Sequence, residues 1–116
     1  MFDLALVDDD PLIQEIWQIA AAECGKALIV ANDPSALAGQ NVNRDTPIFV
    51  DLYSGTELVG IAFLEQLHTA GFQNLFVTTG AEPESLPLPH FVKGIIGKEF
   101  PESLISVHNS NFGEFA

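Results

Sequence analysis

The sequence predicts an α/β fold, a doubly wound five-stranded parallel sheet with helices on both faces. Apolar strand candidates alternate with helix candidates along the whole chain, an order typical of parallel strands joined by helical crossovers. The strand candidates are apolar throughout, which indicates strands that are covered on both faces. A chain of 116 residues suits one domain, residues 1–116, with its own core.

In the first half of the chain, strands are predicted at FDLALVD and KALIVA, with a helix at PLIQEIWQIAAAEC between them. Asp10 has the chemistry of a helix N-cap, and Pro11 suits the first helical position. Gly25 is the residue type that commonly ends a helix. The next segment, NDPSALAG, has room for only a turn or two, so we expect a shortened second helix.

In the second half, strands are predicted at PIFVD, NLFVTT and FVKGIIG. A helix is predicted in SGTELVGIAFLEQLHTAG, where Ser54 and Glu57 have the spacing of a capping box and Gly71 provides the stop. Three prolines in AEPESLPLPH shorten or remove the fourth helix. A short closing helix is predicted at PESLISVHN.

Charge and hydropathy indicate the class of protein. The formal net charge of −12 repels phosphate backbones, so nucleic acid is not an expected partner. The apolar runs fall short of the roughly 20 residues that span a bilayer, no basic leader precedes the first of them, and the single cysteine fits a reducing compartment. We therefore expect a soluble cytoplasmic protein that does not bind membranes.

Polar side chains follow most of the predicted strands, at the end where parallel α/β sheets hold their ligands. Asp9 and Asp51, converging from two strands, would form an acidic pocket that needs a cation. Oxygen ligands without histidine or cysteine suit Mg²⁺ or Mn²⁺. A carboxylate beside a metal ion, a hydroxyl group and an ammonium such as Lys98 can accept a phosphoryl group as a nucleophile.

Four segments in order, VDDDP, FVDL, VTTG and IIGKEF, resemble the receiver domain of bacterial two-component response regulators over essentially the whole chain. The resemblance implies a flavodoxin-like, receiver-type sheet and a stand-alone phosphoprotein. Its phosphoryl donor would be a sensor histidine kinase or a histidine phosphotransfer protein. Its output would be contact with a downstream protein whose identity is unknown.

The resemblance also implies a metal site for Mg²⁺ or Mn²⁺. Asp51 matches the phosphoacceptor aspartate. Asp8 and Asp9 match the acidic pair, with Asp9 touching the ion directly and Asp8 partly through water. The backbone carbonyl of Tyr53 matches the third ligand that the protein supplies.

Two further residues would contact the phosphoryl group. Thr79 matches the hydroxyl residue, with Thr78, one register away, as the alternative. Lys98 matches the lysine, and Lys93 is a weaker candidate because it precedes the glycine that normally opens the fifth strand. Taken alone, the threonines are ordinary strand residues, and a lysine is most often a solvated charge.

Three departures from the family pattern bear on the function. The loop YSG after Asp51 is short, Glu99 replaces a proline that usually follows a cis peptide bond, and Ile95 stands where an aromatic residue is common. These departures motivate a pseudo-receiver, an interaction module that is not phosphorylated. A small aspartyl phosphohydrolase is less favoured, because Tyr53 stands where such enzymes carry a second acid.

Overall fold

The computed structural model describes residues 1–80 and 88–103 of the chain. Most of the predicted closing helix and the segment 81–87, where the fourth helix was expected to be short, lie outside these residues. The elements in chain order are β1 (Leu4–Val7), α1 (Pro11–Glu23), β2 (Leu28–Ala31), a 3-10 helix (Pro34–Leu37), β3 (Ile48–Asp51), β4 (Tyr53–Ser54), β5 (Glu57–Leu58), α2 (Gly60–Thr69), β6 (Leu75–Thr78) and β7 (Gly94–Ile96).

The central sheet has five strands in the order β2-β1-β3-β6-β7. All four pairings are parallel, so the predicted five-stranded parallel sheet is confirmed. The order is compatible with flavodoxin-like sheets, in which the chain winds outward from the first strand in both directions. The carboxyl ends of all five strands therefore lie along one edge of the sheet.

Each face of the sheet has its own core, because successive side chains of a strand point to opposite faces. In β1, Leu4 and Leu6 pack on the α1 side with Trp17 and Phe49. The alternate residues of β1 belong to the larger core on the α2 side. That core consists of Ala5, Val7, Ala31, Leu37, Ile48, Val50, Leu52, Leu64, Leu67, Leu75 and Val77. Coverage of both faces explains why the strands are apolar throughout.

Helix α1 begins and ends where the sequence predicts. The Asp10 side chain accepts a hydrogen bond from the Leu12 backbone nitrogen at 2.9 Å, and Pro11 occupies the first helical position. The chain leaves the helix through Gly25, whose φ of +71° is unfavourable for residues with a Cβ atom. The short second helix is also confirmed, as the single 3-10 turn Pro34–Leu37.

The predicted capping box at Ser54 and Glu57 is wrong. These two residues face each other in an antiparallel β4–β5 hairpin, and α2 begins only at Gly60, after an N-cap residue that makes no side-chain capping bond. Gly55, the first turn residue, has a φ of +63°, as expected of a glycine at that position of a two-residue hairpin. The spacing that suits a capping box also suits this turn, and the local sequence does not distinguish them.

Gly60 permits a close approach between the start of α2 and the end of β3. Its backbone nitrogen donates to the Leu52 carbonyl at 2.9 Å. A Cβ atom at this position would lie 2.6 Å from the Leu52 Cα atom and 2.8 Å from the Asp51 carbonyl oxygen. Only a residue without a side chain fits this approach of two backbone segments. Among the described residues, no helix has the length and hydropathy needed to cross a membrane.

Candidate functional site

The carboxyl edge of the sheet brings together most of the polar residues that the sequence singled out. A cavity of about 350 Å³ opens there, between the loops after β1, β3, β6 and β7. Its lining consists of Asp9, Asp10, Asp51, Tyr53, Gly55, Thr79, Gly80 and Lys98. Acidic, hydroxyl and ammonium groups from four separate strands thus face one space.

Asp8 is buried at 2% exposure, and both of its carboxylate oxygens are occupied. Oδ1 accepts the Asp10 backbone N–H at 2.9 Å, and Oδ2 accepts from Lys98 Nζ at 3.0 Å. The Gln14 amide donates to the Asp8 carbonyl at 2.6 Å, which anchors the loop to α1. A buried carboxylate is stable only when it is paired in this way.

Asp51 closes β3 and is also buried, at 8% exposure. Its Oδ1 atom forms an ion pair with Lys98 Nζ and accepts the Tyr53 backbone N–H at 3.4 Å. Burial raises the pKa of Asp51 above its ordinary value, the hydrogen bond from Lys98 opposes that rise, and the negative charge of Asp8 adds to it. Lys98 therefore bridges the two buried acids.

Asp9, whose carboxylate lies close to those of Asp8 and Asp51, is exposed. Its Oδ2 atom accepts a hydrogen bond from the Ser54 hydroxyl of the β4–β5 hairpin at 2.5 Å. The hairpin that replaces the predicted capping box thus contributes a side chain to the acidic cluster.

The cluster could bind a metal ion. One carboxylate oxygen from each of Asp8, Asp9 and Asp51 can be chosen so that all three lie within 4.8 Å of one another. Hard oxygen donors from only a few carboxylates suit Mg²⁺ or Mn²⁺, which complete their octahedral shell with water and carbonyl oxygens. Tyr53 lines the same cavity as Asp9 and Asp51.

The two threonines occupy different environments. Thr79 lines the cavity with Lys98 and Asp51, and its backbone nitrogen donates to the Ile96 carbonyl at 3.0 Å. Thr78 does not line the cavity. It is 1% exposed, and its Oγ1 atom has no hydrogen-bond partner among the described residues. The geometry favours Thr79 as the hydroxyl that a ligand in the cavity would meet.

The two candidate lysines, Lys93 and Lys98, also occupy different environments. Lys98 reaches both buried acids, whereas Lys93 is exposed ahead of β7 and does not line the cavity. The peptide bond between Lys98 and Glu99 is trans. Of the two candidates, only Lys98 is placed to act on Asp51.

A second cavity, of about 300 Å³, also borders the acidic cluster and the hairpin. It shares Asp9, Asp51 and Tyr53 with the first, and no lysine or arginine of the described residues lines it. Its full lining is Val7, Asp8, Asp9, Asn32, Asp33, Asp51, Tyr53, Ser54, Glu57, Val59 and Phe63. The acids of the cluster thus line two cavities, and only the lining of the first includes Lys98 and Thr79.

Sequence reasoning missed two residues that shape the site. The sequence predicts a helix cap at Ser54, but the Ser54 hydroxyl donates to Asp9 instead. Trp17 lies in the predicted first helix, and its indole Nε1 donates to the Lys98 carbonyl at 2.9 Å. No local pattern could have revealed either contact, because the partners are 45 and 81 positions apart in the chain.

No protein-family model matches this chain, and comparisons with curated proteins and with solved structures find no significant match. The similarity to receiver domains rests on the four sequence segments, and the function that it implies is a proposal.

Proposed function

We propose that the protein is a receiver whose Asp51 accepts a phosphoryl group from a histidine kinase or a histidine phosphotransfer protein. The observation that carries the proposal is the arrangement around Asp51. The buried Asp51 carboxylate at the end of β3 contacts Lys98 and lines a cavity that Thr79 also lines. One of its oxygens lies within 4.8 Å of carboxylate oxygens of Asp8 and Asp9. Phosphoryl transfer to a carboxylate requires this combination of nucleophile and positive charge.

In the proposed reaction, an Asp51 carboxylate oxygen attacks the phosphorus of a phosphohistidine. The new P–O bond forms with an electron pair from the carboxylate, the P–N bond breaks, and its electron pair leaves on the imidazole nitrogen. Lys98 and Thr79 stabilise the equatorial oxygens of the phosphoryl group, where charge accumulates. A divalent ion held by Asp8, Asp9, Asp51 and the Tyr53 carbonyl would supply further positive charge to those oxygens.

Lys98 would have to exchange partners during this reaction. It now bridges Asp8 and Asp51, and the oxygen that it holds on Asp51 is a candidate nucleophile. A phosphoryl group on Asp51 offers the ammonium new anionic oxygens nearby, so its move requires no large displacement. The phosphorylated edge would then present a different surface to a downstream partner.

The test is the intact mass of the protein after incubation with acetyl phosphate and Mg²⁺. We expect one phosphoryl adduct on the wild type, released by hydroxylamine as an acyl phosphate would be, and none on Asp51→Asn. Asp45→Asn changes an exposed aspartate and should leave the adduct unchanged. An adduct that persists on Asp51→Asn would contradict the assignment of the phosphoacceptor.

A second candidate function, the phosphorylation-independent interaction module, is favoured by one observation. Lys98 and Ser54 together provide a side-chain partner for each of the three acids of the cluster. On this hypothesis, millimolar Mg²⁺ leaves the amide resonances of residues 8–10 and 51–54 unchanged, and no donor phosphorylates the chain. Saturable shifts of these resonances would count against it.

A further inference from the structure

The β4–β5 hairpin holds a fixed position over the acidic cluster. Leu52, which precedes the hairpin, is fully buried. Its carbonyl accepts the backbone N–H groups of both Val59 and Gly60, at 3.0 and 2.9 Å. The hairpin is therefore closed at its base by two hydrogen bonds to one buried carbonyl. A short segment with a fixed base therefore holds the side chain of Ser54 beside the acids.

Of the three acids, Asp9 depends most on a neighbouring side chain to hold its carboxylate in position. Asp8 and Asp51 are buried and share Lys98, whereas Asp9 is exposed and carries a like charge close to theirs. Repulsion among the three carboxylates favours rotation of Asp9 away into solvent. The hydrogen bond from Ser54 opposes that rotation.

The geometry of this bond leaves the carboxylate able to bind an ion. Ser54 donates to Oδ2 of Asp9, so Oδ1 and the remaining lone pair of Oδ2 stay available. Hydrogen bonds from neighbouring side chains commonly orient metal-binding carboxylates in this way, and removing them typically weakens metal affinity by about 10- to 100-fold.

We propose that Ser54 is a positioning residue for Asp9, and that its hydroxyl sets the affinity of the acidic cluster for a divalent cation. The inference rests on the proposed function, because it assumes that Asp9 is a metal ligand. It gives a role to a residue on the shortened loop after Asp51, which is otherwise only a departure from the receiver pattern.

The test compares Ser54→Thr with Ser54→Val in the full chain, with no phosphodonor present. These variants have nearly the same shape and differ in one hydroxyl group, so strand propensity and packing are matched. Thr56→Val removes an exposed hydroxyl from the turn of the same hairpin and is the control. The readouts are the Kd for Mn²⁺, from the electron paramagnetic resonance signal of the free ion, and urea unfolding of the metal-free proteins.

We expect Ser54→Val to bind Mn²⁺ about 10-fold more weakly than Ser54→Thr, with closely similar metal-free unfolding of the two variants. Ser54→Thr and Thr56→Val should stay within about 3-fold of the wild type. Equal affinities of Ser54→Thr and Ser54→Val, or tighter binding by Ser54→Val, would overturn the inference and leave the proposed function standing. Failure of the wild type itself to bind Mn²⁺ would contradict the metal site of the proposed function and the inference with it.

Discussion

The indole Nε1 of Trp17 donates a hydrogen bond to the backbone carbonyl of Lys98 at 2.9 Å. Trp17 is fully buried between α1 and the sheet, in edge-to-face contact with Phe49 and Phe100. Lys98 bridges the two buried acids of the site at its other end. The core on the α1 side of the sheet is therefore attached directly to the residue that neutralises Asp8 and Asp51.

Because of this hydrogen bond, Trp17→Phe should lower the free energy of unfolding by more than the lost side-chain volume alone would. Phenylalanine retains an aromatic ring but leaves the partly buried Lys98 carbonyl without its donor, and an acceptor left unpaired on burial costs about 1–3 kcal/mol. We expect the free energy of unfolding to fall by about 2 kcal/mol or more in urea titrations. Ile19→Ala, on the exposed side of the same helix, should change it by less than about 0.5 kcal/mol. Equal effects of the two substitutions would show that the Trp17 hydrogen bond adds nothing.

Removal of the Lys98 ammonium should destabilise the protein in metal-free buffer. In Lys98→Met, the carboxylates of Asp8 and Asp51 lose their shared counter-charge. Breaking a buried ion pair costs about 3–5 kcal/mol, which partial exposure of Lys98 reduces to about 2 kcal/mol. Thermal denaturation measures this loss. Lys93→Met removes an exposed ammonium and is the matched control.

The same variant also reports on cation binding. A divalent ion supplies the positive charge that Lys98→Met lacks, so Mn²⁺ should raise its melting temperature more than it raises that of the wild type. A smaller rise in the variant would mean that Lys98 assists cation binding rather than substituting for the cation.

Gly60→Ala should destabilise the protein, although alanine normally favours helices over glycine by about 1 kcal/mol. The added Cβ atom would lie 2.6 Å from the Leu52 Cα atom, and neither backbone segment can move without disturbing the hairpin or β3. Overpacking of this kind costs about 1–3 kcal/mol. At Gly97, no atom lies within 4 Å of an added Cβ, so Gly97→Ala should be nearly neutral. Unfolding in urea compares the two, and a stabilised Gly60→Ala protein would contradict the close approach.

The pH dependence of stability should change in Asp51→Asn. The pKa of Asp51 is raised in the folded protein, so the native state binds more protons than the unfolded state between the ordinary pKa of 3.8 and the folded value. The stability that Asp51 contributes is complete below the ordinary pKa and is lost as the pH rises through the folded pKa. Asparagine does not ionise and avoids this loss.

In metal-free buffer, Asp51→Asn should therefore be more stable than the wild type near neutral pH, and the difference should shrink as the pH falls toward the ordinary pKa of an aspartate. Urea unfolding at a series of pH values measures it. Asp45→Asn is the control. A variant less stable than the wild type at neutral pH would show that the ion pair with Lys98 outweighs the burial of the carboxylate.

The elements that depend on local chemistry could be predicted from the sequence. Continuous apolar runs marked the strands of a parallel sheet, because each strand is buried on both faces. Asp10, Pro11 and Gly25 placed the ends of α1, because capping and backbone conformation depend on neighbouring residues. The position of the acids at residues 8, 9 and 51, directly after their strands, was enough to expect one acidic pocket at the carboxyl edge.

The contacts that hold this pocket together depend on the packing of distant segments and could not be predicted from local sequence. The spacing of Ser54 and Glu57 suits both a helix cap and a hairpin turn, and contacts with Leu52 and Asp9 select the hairpin. The register of β6 against its neighbours places the second threonine of VTTG, rather than the first, in the cavity. The reach of Lys98 to the acids and the bond from the buried indole to its carbonyl join segments far apart in the chain, and such pairings arise only from packing of the whole fold.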